Sequence, residues 1–206
     1  MPLHIVNHPL AQHYLTHLRD ETTKPALFRT LSRKLTVLLA LKACEDLRTA
    51  MLNIRTPLEE MWSPVLDEEV VVVPILRAGL GMLDAIVELF PEVSVGYIGL
   101  ERDEKTAIAS TYYRKLPHVY GRTVLLVDPM LASGGSATDA LRDIYRLEPE
   151  RVKLLCVVAT PQGVETLEKE FPELSIYAAA LDRDLNDKKY ILPGLGDFGD
   201  RLYGTN

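Results

Sequence analysis

Between residues 69 and 181 two hydrophobic rhythms take turns, and that alternation constrains the fold more than any other feature of the sequence. The run EVVVVPIL (69–76) is almost wholly apolar and β-branched, the composition of a strand buried on both faces. LGMLDAIVELF (80–90) has helical spacing and stops before Pro91. VSVGYIGL (93–100), RTVLLVD (122–128), RVKLLCVVAT (151–160) and ELSIYAAAL (173–181) predict further strands. SATDALRDIYRL (136–147) and PQGVETLEKEF (161–171) predict the helices among them. Parallel strands need a crossover, and a helix supplies it. The expected fold is therefore α/β, with a mostly parallel central sheet flanked by helices. In such sheets ligands bind beyond the carboxyl ends of the strands. The loops after 69–76, 93–100 and 122–128 are the informative ones.

The flanks read differently. Pro9 and Pro25 suit first helical positions, and Leu27, Leu31, Leu35, Leu38 and Leu39 recur at helical spacing. Residues 1–55 are expected to form a helical N-terminal extension, 69–181 an α/β core and 182–206 a Gly- and Asp-rich hood, all within one domain. Residues 101–118 are polar without a clear period, which predicts a long mobile loop. A chain of 206 residues buries enough surface to need no disulfide or metal for folding. Its longest apolar run, Val70 to Leu76, is far short of a membrane span. The first residues lack the basic and apolar regions of a signal peptide. Two distant cysteines, Cys44 and Cys156, in apolar surroundings read as free thiols, so the expected compartment is the cytoplasm. The net charge of −6 argues against a broad nucleic-acid surface but leaves room for a nucleotide substrate.

The strongest chemical signal is VLLVDPMLASGGSATDAL (124–141). A strand ends at Asp128, a loop of small residues follows, and a helix begins near Ser136. Gly134 and Gly135 let successive N–H groups face one point. The helix N-terminus adds free N–H groups and the positive end of its dipole, and Ser133 and Ser136 add hydroxyls. That is a cup for a phosphate dianion. Asp128 would repel the phosphate itself and suits a pair of ribose hydroxyls or a metal-bound water. The bland alternative is a plain strand–turn–helix connection.

Other readings are weighed against it. No Gly-Lys pair occurs in the chain, so the lysine of the triphosphate-binding loop is missing. GLGDFG (194–199) matches the dinucleotide fingerprint by letter, but it follows Pro193 rather than a strand. In PILRAGLG (74–81), Arg77 at a strand end suits a second anionic group. Arg102, after the next strand, falls at the same sheet edge. His4/His8 and His13/His17 are each four apart, but no cysteine or carboxylate completes a tetrahedral set, and they read as surface histidines.

On these residues the chain resembles a known family. VLLVDPMLASGG is similar to the phosphoribosyl-pyrophosphate (PRPP) motif of the type I phosphoribosyltransferases. VVPILRAGLGM, DPMLASGGS and YILPGLGDFGDRLYGT resemble the uracil phosphoribosyltransferases in order and spacing, from near the N-terminus to the last residues. The resemblance implies the type I phosphoribosyltransferase fold and transfer of phosphoribose from PRPP to N1 of uracil, giving UMP and pyrophosphate. It implies that Asp128, Pro129, Met130, Leu131, Ala132, Ser133, Gly134, Gly135 and Ser136 form the PRPP loop, with Asp128 on the ribose hydroxyls. Arg77 would sit in the loop that receives pyrophosphate, where relatives often hold a non-proline cis peptide. Arg102 would bind PRPP. Ile191, Gly196 and Phe198 would hold uracil, largely through backbone groups, and Asp197, among the uracil-binding residues as well, would face PRPP. Arg102, Asp128 and Asp197 are the candidate catalytic residues.

The resemblance also implies Mg²⁺, a homodimer or higher oligomer, and, in some members, activation by GTP. Asp128 is followed by Pro129 where many phosphoribosyltransferases carry a second acidic residue. That pairing marks the uracil family and leaves Mg²⁺ held mainly by PRPP and water, with no protein ligand set. A second departure, Arg183-Asp184 where relatives carry a glycine, touches the hood's shape. Residues 101–118, with Tyr112 and Tyr113, would close over the substrates and exclude water. The rival function is a nucleotide-sensing regulatory protein on the same fold with little catalysis. A transferase for another base is a third reading, against which the YILPGLGDFGD tail stands.

Overall fold

The computed structural model describes residues 3–102 and 109–205, side chains at 101–102 and 109–111 excepted. The chain opens with β1 (Leu3–Ile5), α1 (Pro9–Arg19) and α2 (Pro25–Ala43). His8 caps α1, its Nδ1 accepting from Leu10 N at 3.1 Å ahead of Pro9. A hairpin of β2 (Thr49–Arg55) and β3 (Glu60–Leu66) follows. Then come β4 (Val70–Leu76), α3 (Leu80–Leu89), β5 (Ser94–Val95), β6 (Tyr97–Arg102) and β7 (Ala109–Lys115). β8 (Thr123–Val127), β9 (Met130–Leu131), α4 (Gly135–Tyr145), β10 (Arg151–Ala159), α5 (Pro161–Glu170) and β11 (Ser175–Leu181) complete the alternation. The tail holds β12 (Asp184–Leu185), β13 (Ile191–Leu192) and α6 (Phe198–Tyr203).

The central sheet runs β1-β11-β10-β8-β4-β6-β7, parallel throughout except at β7, with β5 beside β4 and β9 beside β10. Alternate residues of one strand serve opposite faces. Val70, Val72, Leu125, Val127, Leu155 and Val157 pack with α1, α2, α3 and the tail. Val71, Val73, Val124, Leu126, Leu154 and Cys156 pack with α4 and α5. Burial on both faces explains why these strands read as continuous apolar runs. Each fully buried aliphatic side chain contributes about 1.5–3 kcal/mol.

Three expectations need correction. Residues 1–55 are not purely helical. Leu3–Ile5 adds an edge strand to β11, and Thr49–Arg55 pairs with Glu60–Leu66. A strand of three residues is too short to show a period, and the hairpin stands apart from the core with apolar residues on both faces. Residues 101–118 are not one loop. β6 reaches Arg102 and β7 returns from Ala109 antiparallel to it, with a bulge at Gly99/Leu100. β7 is an edge strand, so its polar residues leave little hydrophobic signature. The mobility expected of 101–118 includes residues 103–108, which lie outside the described residues. Finally, 93–100 is two strands, β5 and β6, pairing with different parts of β4.

Candidate active site

β8, β4 and β6 are neighbours, so their carboxyl ends deliver Asp128, Arg77 and the backbone of Arg102 to one edge. The Arg102 side chain lies outside the described residues. A cleft of about 850 Å³ opens there. On the sheet side Arg77, Asp128, Met130, Ala132 and Ser136 line it, and from the tail Ile191, Gly196, Asp197 and Phe198. The structure thus brings together segments far apart in the chain. Lys188, Lys189, Tyr190 and Tyr112 also line it. The two lysines had no motif to announce them; they fall in a turn held by Asn186, whose Oδ1 accepts from Lys188 N and Tyr190 N at 3.0 and 2.9 Å.

The loop expected to hold a phosphate is built by a left-handed turn. Gly134 has φ +87° and precedes α4, a conformation that penalises any side chain. The first turn of α4 leaves N–H groups without helical partners, as an anion site requires. Ser133, Gly134 and Gly135 make this turn and do not line the cleft wall; Pro129 and Leu131 face β10 instead. Val157 N and Val158 N donate to Pro129 O at 2.9 and 3.1 Å, and Thr160 N donates to Leu131 O at 3.0 Å. Thr160 Oγ1 donates to Ala132 O at 2.6 Å and accepts from Gly163 N at 3.0 Å. A Cβ on Gly163 would stand 2.4 Å from Ala132 O. Thr160 and Gly163 therefore brace the cup from behind. Their sequence signal, a Thr-Pro helix start, reads only as a cap.

Arg77 follows a non-proline cis peptide bond, Leu76–Arg77. Its guanidinium is 61% exposed and 3.5 Å from Asp200 Oδ1, and Tyr203 Oη donates to Arg77 O at 3.3 Å. The loop is tied to α6 while its charge stays open to solvent. Asp128 sits at the end of β8, where its Oδ1 accepts from Met130 N at 3.4 Å. Its neighbour Cys156 is buried, which pushes that thiol well above the usual range.

On the other wall, β13 leads through a cis Leu192–Pro193 bond into Gly194 and Gly196, with φ +61° and +80°. Asp197 caps α6, accepting from Asp200 N at 2.9 Å. Phe198 is 1% exposed, its ring 5.0 Å from that of Phe28 on α2. GLGDFG thus enters a helix of six residues from a cis-proline turn, and no strand–helix dinucleotide unit forms around it. The histidines serve locally: His4 stacks on Tyr177 at 4.7 Å, and His13 meets His17 edge-on at 4.7 Å. Among the described residues no group of three or more His, Cys, Asp or Glu could hold a metal.

An α/β sheet with a glycine-turn loop after β8, an arginine loop after the neighbouring β4 and a tail facing both has the fold of a type I phosphoribosyltransferase. Solved structures agree on the fold. A hypoxanthine-guanine phosphoribosyltransferase from Bacillus anthracis matches with a TM-score of 0.52 at 16% identity, over 77% of this chain and 80% of its own. A protein from Aquifex aeolicus matches with a TM-score of 0.96 at 37% identity, over 100% and 99% of the two chains. The sequence profile for uracil phosphoribosyltransferase matches residues 5–205. The uracil phosphoribosyltransferase of Legionella pneumophila is 48% identical over 203 residues, 98% of this chain and 95% of the relative. The chain belongs to the uracil phosphoribosyltransferase family.

Proposed function

We propose that the chain transfers phosphoribose from PRPP to N1 of uracil, releasing pyrophosphate and forming UMP. The observation that carries this reading is one shared cleft in which Asp128 and the loop before α4 face the 190–198 tail. In this reading the amides of Ser133 to Ser136 hold the 5′-phosphate and Asp128 accepts from the ribose hydroxyls. Uracil N1 displaces pyrophosphate from C1′, with positive charge growing on the sugar and negative charge on the leaving group. Arg77 and Arg102 stabilise the departing pyrophosphate as fixed cations. Holding both substrates in one cleft contributes the proximity term.

Mg²⁺ fits a site of this kind when held mainly by the substrate's phosphates and water, with the Asp128 carboxylate a hard oxygen donor on the cleft wall. When bound it neutralises charge on the pyrophosphate group. Backbone groups of Ile191 and Gly196 select the base. Uracil offers an N3–H donor and an O4 acceptor, and cytosine reverses both, leaving two buried groups unpaired. CMP formed as efficiently as UMP would overturn that account.

The expected assembly is a homodimer or higher oligomer. Met51, Leu52, Ile54, Met61, Trp62, Val65 and Leu66 are exposed on the β2–β3 hairpin, and a two-stranded hairpin is marginal alone in water. A second copy of the chain covers it in this reading. The free thiols Cys44 and Cys156 accord with a cytoplasmic setting, and no helix among the described residues is long and apolar enough to cross a membrane.

The test is UMP formation from uracil, PRPP and Mg²⁺, with and without GTP, on wild type and Asp128→Asn. Loss of charge-assisted hydrogen bonds to the ribose should cut kcat/KM by about 10- to 100-fold. Dependence on GTP would establish the activator. PRPP or UMP binding without turnover under any condition would favour the regulatory alternative.

A further inference from the structure

Two arginines cross between the end of α1 and the tail, running in opposite directions. Arg19, the last residue of α1, sends both guanidinium nitrogens to Asp182, at 2.8 and 2.6 Å, and a third hydrogen bond to Gly194 O at 2.7 Å. The Asp182 side chain is 4% exposed, and its Oδ2 also accepts from Gly194 N at 2.9 Å. Both backbone polar groups of Gly194 are thus held by one ion pair whose carboxylate is buried and whose guanidinium is partly exposed. From the other side Arg201, on α6, donates to Leu18 O, to Asp20 O at 2.5 Å and to Leu195 O at 2.8 Å. Its guanidinium lies over the Phe28 ring at 4.6 Å. The α1 carbonyls it meets belong to the negative end of that helix, which favours a cation.

The residues so fixed, Gly194 and Leu195, stand between Ile191 and Gly196 on the cleft wall. Among the described residues, the side-chain hydrogen bonds of this clasp go to α1 and the tail rather than to the loop before α4, and its backbone link in that direction is Asp182 N to Ala159 O at 2.7 Å. Gly194 also has no room for a side chain: a Cβ there would stand 2.1 Å from Ile191 O.

We infer that Arg19, Asp182 and Arg201 are positioning residues for base selection, holding the 191–196 backbone in register with the pyrimidine edge. This rests on the proposed uracil reading of the tail. A buried bidentate pair to a guanidinium is stiff, and donors that select a base must be stiff to reject its isostere. A misplacement of about 1 Å costs roughly 100-fold in rate. A clasp that only stabilised the fold would weaken both substrates alike.

The test compares wild type with Arg19→Met, Asp182→Asn and the double variant. The readouts are the KM for uracil, the ratio of UMP to CMP formation, and Mg²⁺–PRPP binding by calorimetry. The expected result is a rise of about 10- to 100-fold in uracil KM and a fall in the UMP/CMP ratio, with PRPP affinity within about twofold of wild type. The double variant should match the worse single variant, because each removes the same pair. Arg19→Lys keeps one charged donor and should recover part of the loss; it also serves if Arg19→Met does not fold. Wild-type UMP formation with uracil KM and base ratio unchanged in the variants overturns the clasp alone. So does a parallel loss of uracil and PRPP affinity. No UMP from wild type overturns the base reading beneath it.

Discussion

At single positions, distance decides what the chain tolerates. Gly163 carries no signal in its own letters, yet a methyl group there would meet Ala132 O at 2.4 Å. Gly163→Ala should push the cup off its mark and raise the PRPP KM by about tenfold or more, with uracil affected less; steady-state kinetics against each substrate checks this. Thr160→Val keeps the shape and leaves Ala132 O without its donor, a cost of about 1–3 kcal/mol measurable by urea denaturation. Asp128, Gly134 and Ser136 were legible because strand, loop and helix are contiguous in sequence. Thr160 and Gly163 were not, because their work is done on Ala132, 28 residues from Thr160 and farther still from Gly163. The same holds for Arg19 and Asp182, which are 163 residues apart.

Elements were legible where burial imposes a period. β4, β8, β10 and β11, and the helices that follow them or precede them, carry that signal in full. β1 is too short, β7 is an edge strand, and β2 and β3 are apolar on faces the monomer leaves open. The hood was read as Gly- and Asp-rich tail, but its hold on α2 depends on side chains the tail pattern does not display. Phe28 is fully buried against Phe198, and Arg29 donates to Leu202 O at 2.8 Å. Phe28→Ala should destabilise the fold by about 3–5 kcal/mol in urea titrations. On the hairpin, Trp62→Lys should shift the protein toward monomer in light scattering, since Trp62 is 63% exposed in the single chain. An unchanged mass would move the interface elsewhere.

Across the whole molecule, the two ends of the sheet are built from different chemistry. The carboxyl edge holds the cleft. The amino edge holds a charged knot that joins α2, the hairpin, β8 and β10. Burial pushes the Glu68 carboxyl upward, but donors from Arg48 N, Thr123 and Arg151 outweigh it and hold it below the usual range. Asp46 is lowered in the same way, burial being overcome by Lys153 and Arg151. Lys153 is itself buried and donates to Ala43 O at 2.6 Å, near the end of α2. A carboxyl lowered in the folded state stabilises above its unfolded range, and that share is lost as pH falls through the folded value. Glu68→Gln should therefore be less stable than wild type at pH 7, with the gap closing below about pH 4, as unfolded carboxylates take up protons. Urea titrations at the two pH values decide it; a gap independent of pH would mean that packing, not charge, is what Glu68 supplies.

The clasp between α1 and α6 joins residues 183 positions apart, Leu18 and Arg201. Protein synthesis runs from the first to the last. The strands of the sheet and the loop before α4 precede α6 in the order of synthesis, so the tail wall of the cleft is the later of the two to be assembled, and a truncation that removes α6 strikes that wall first.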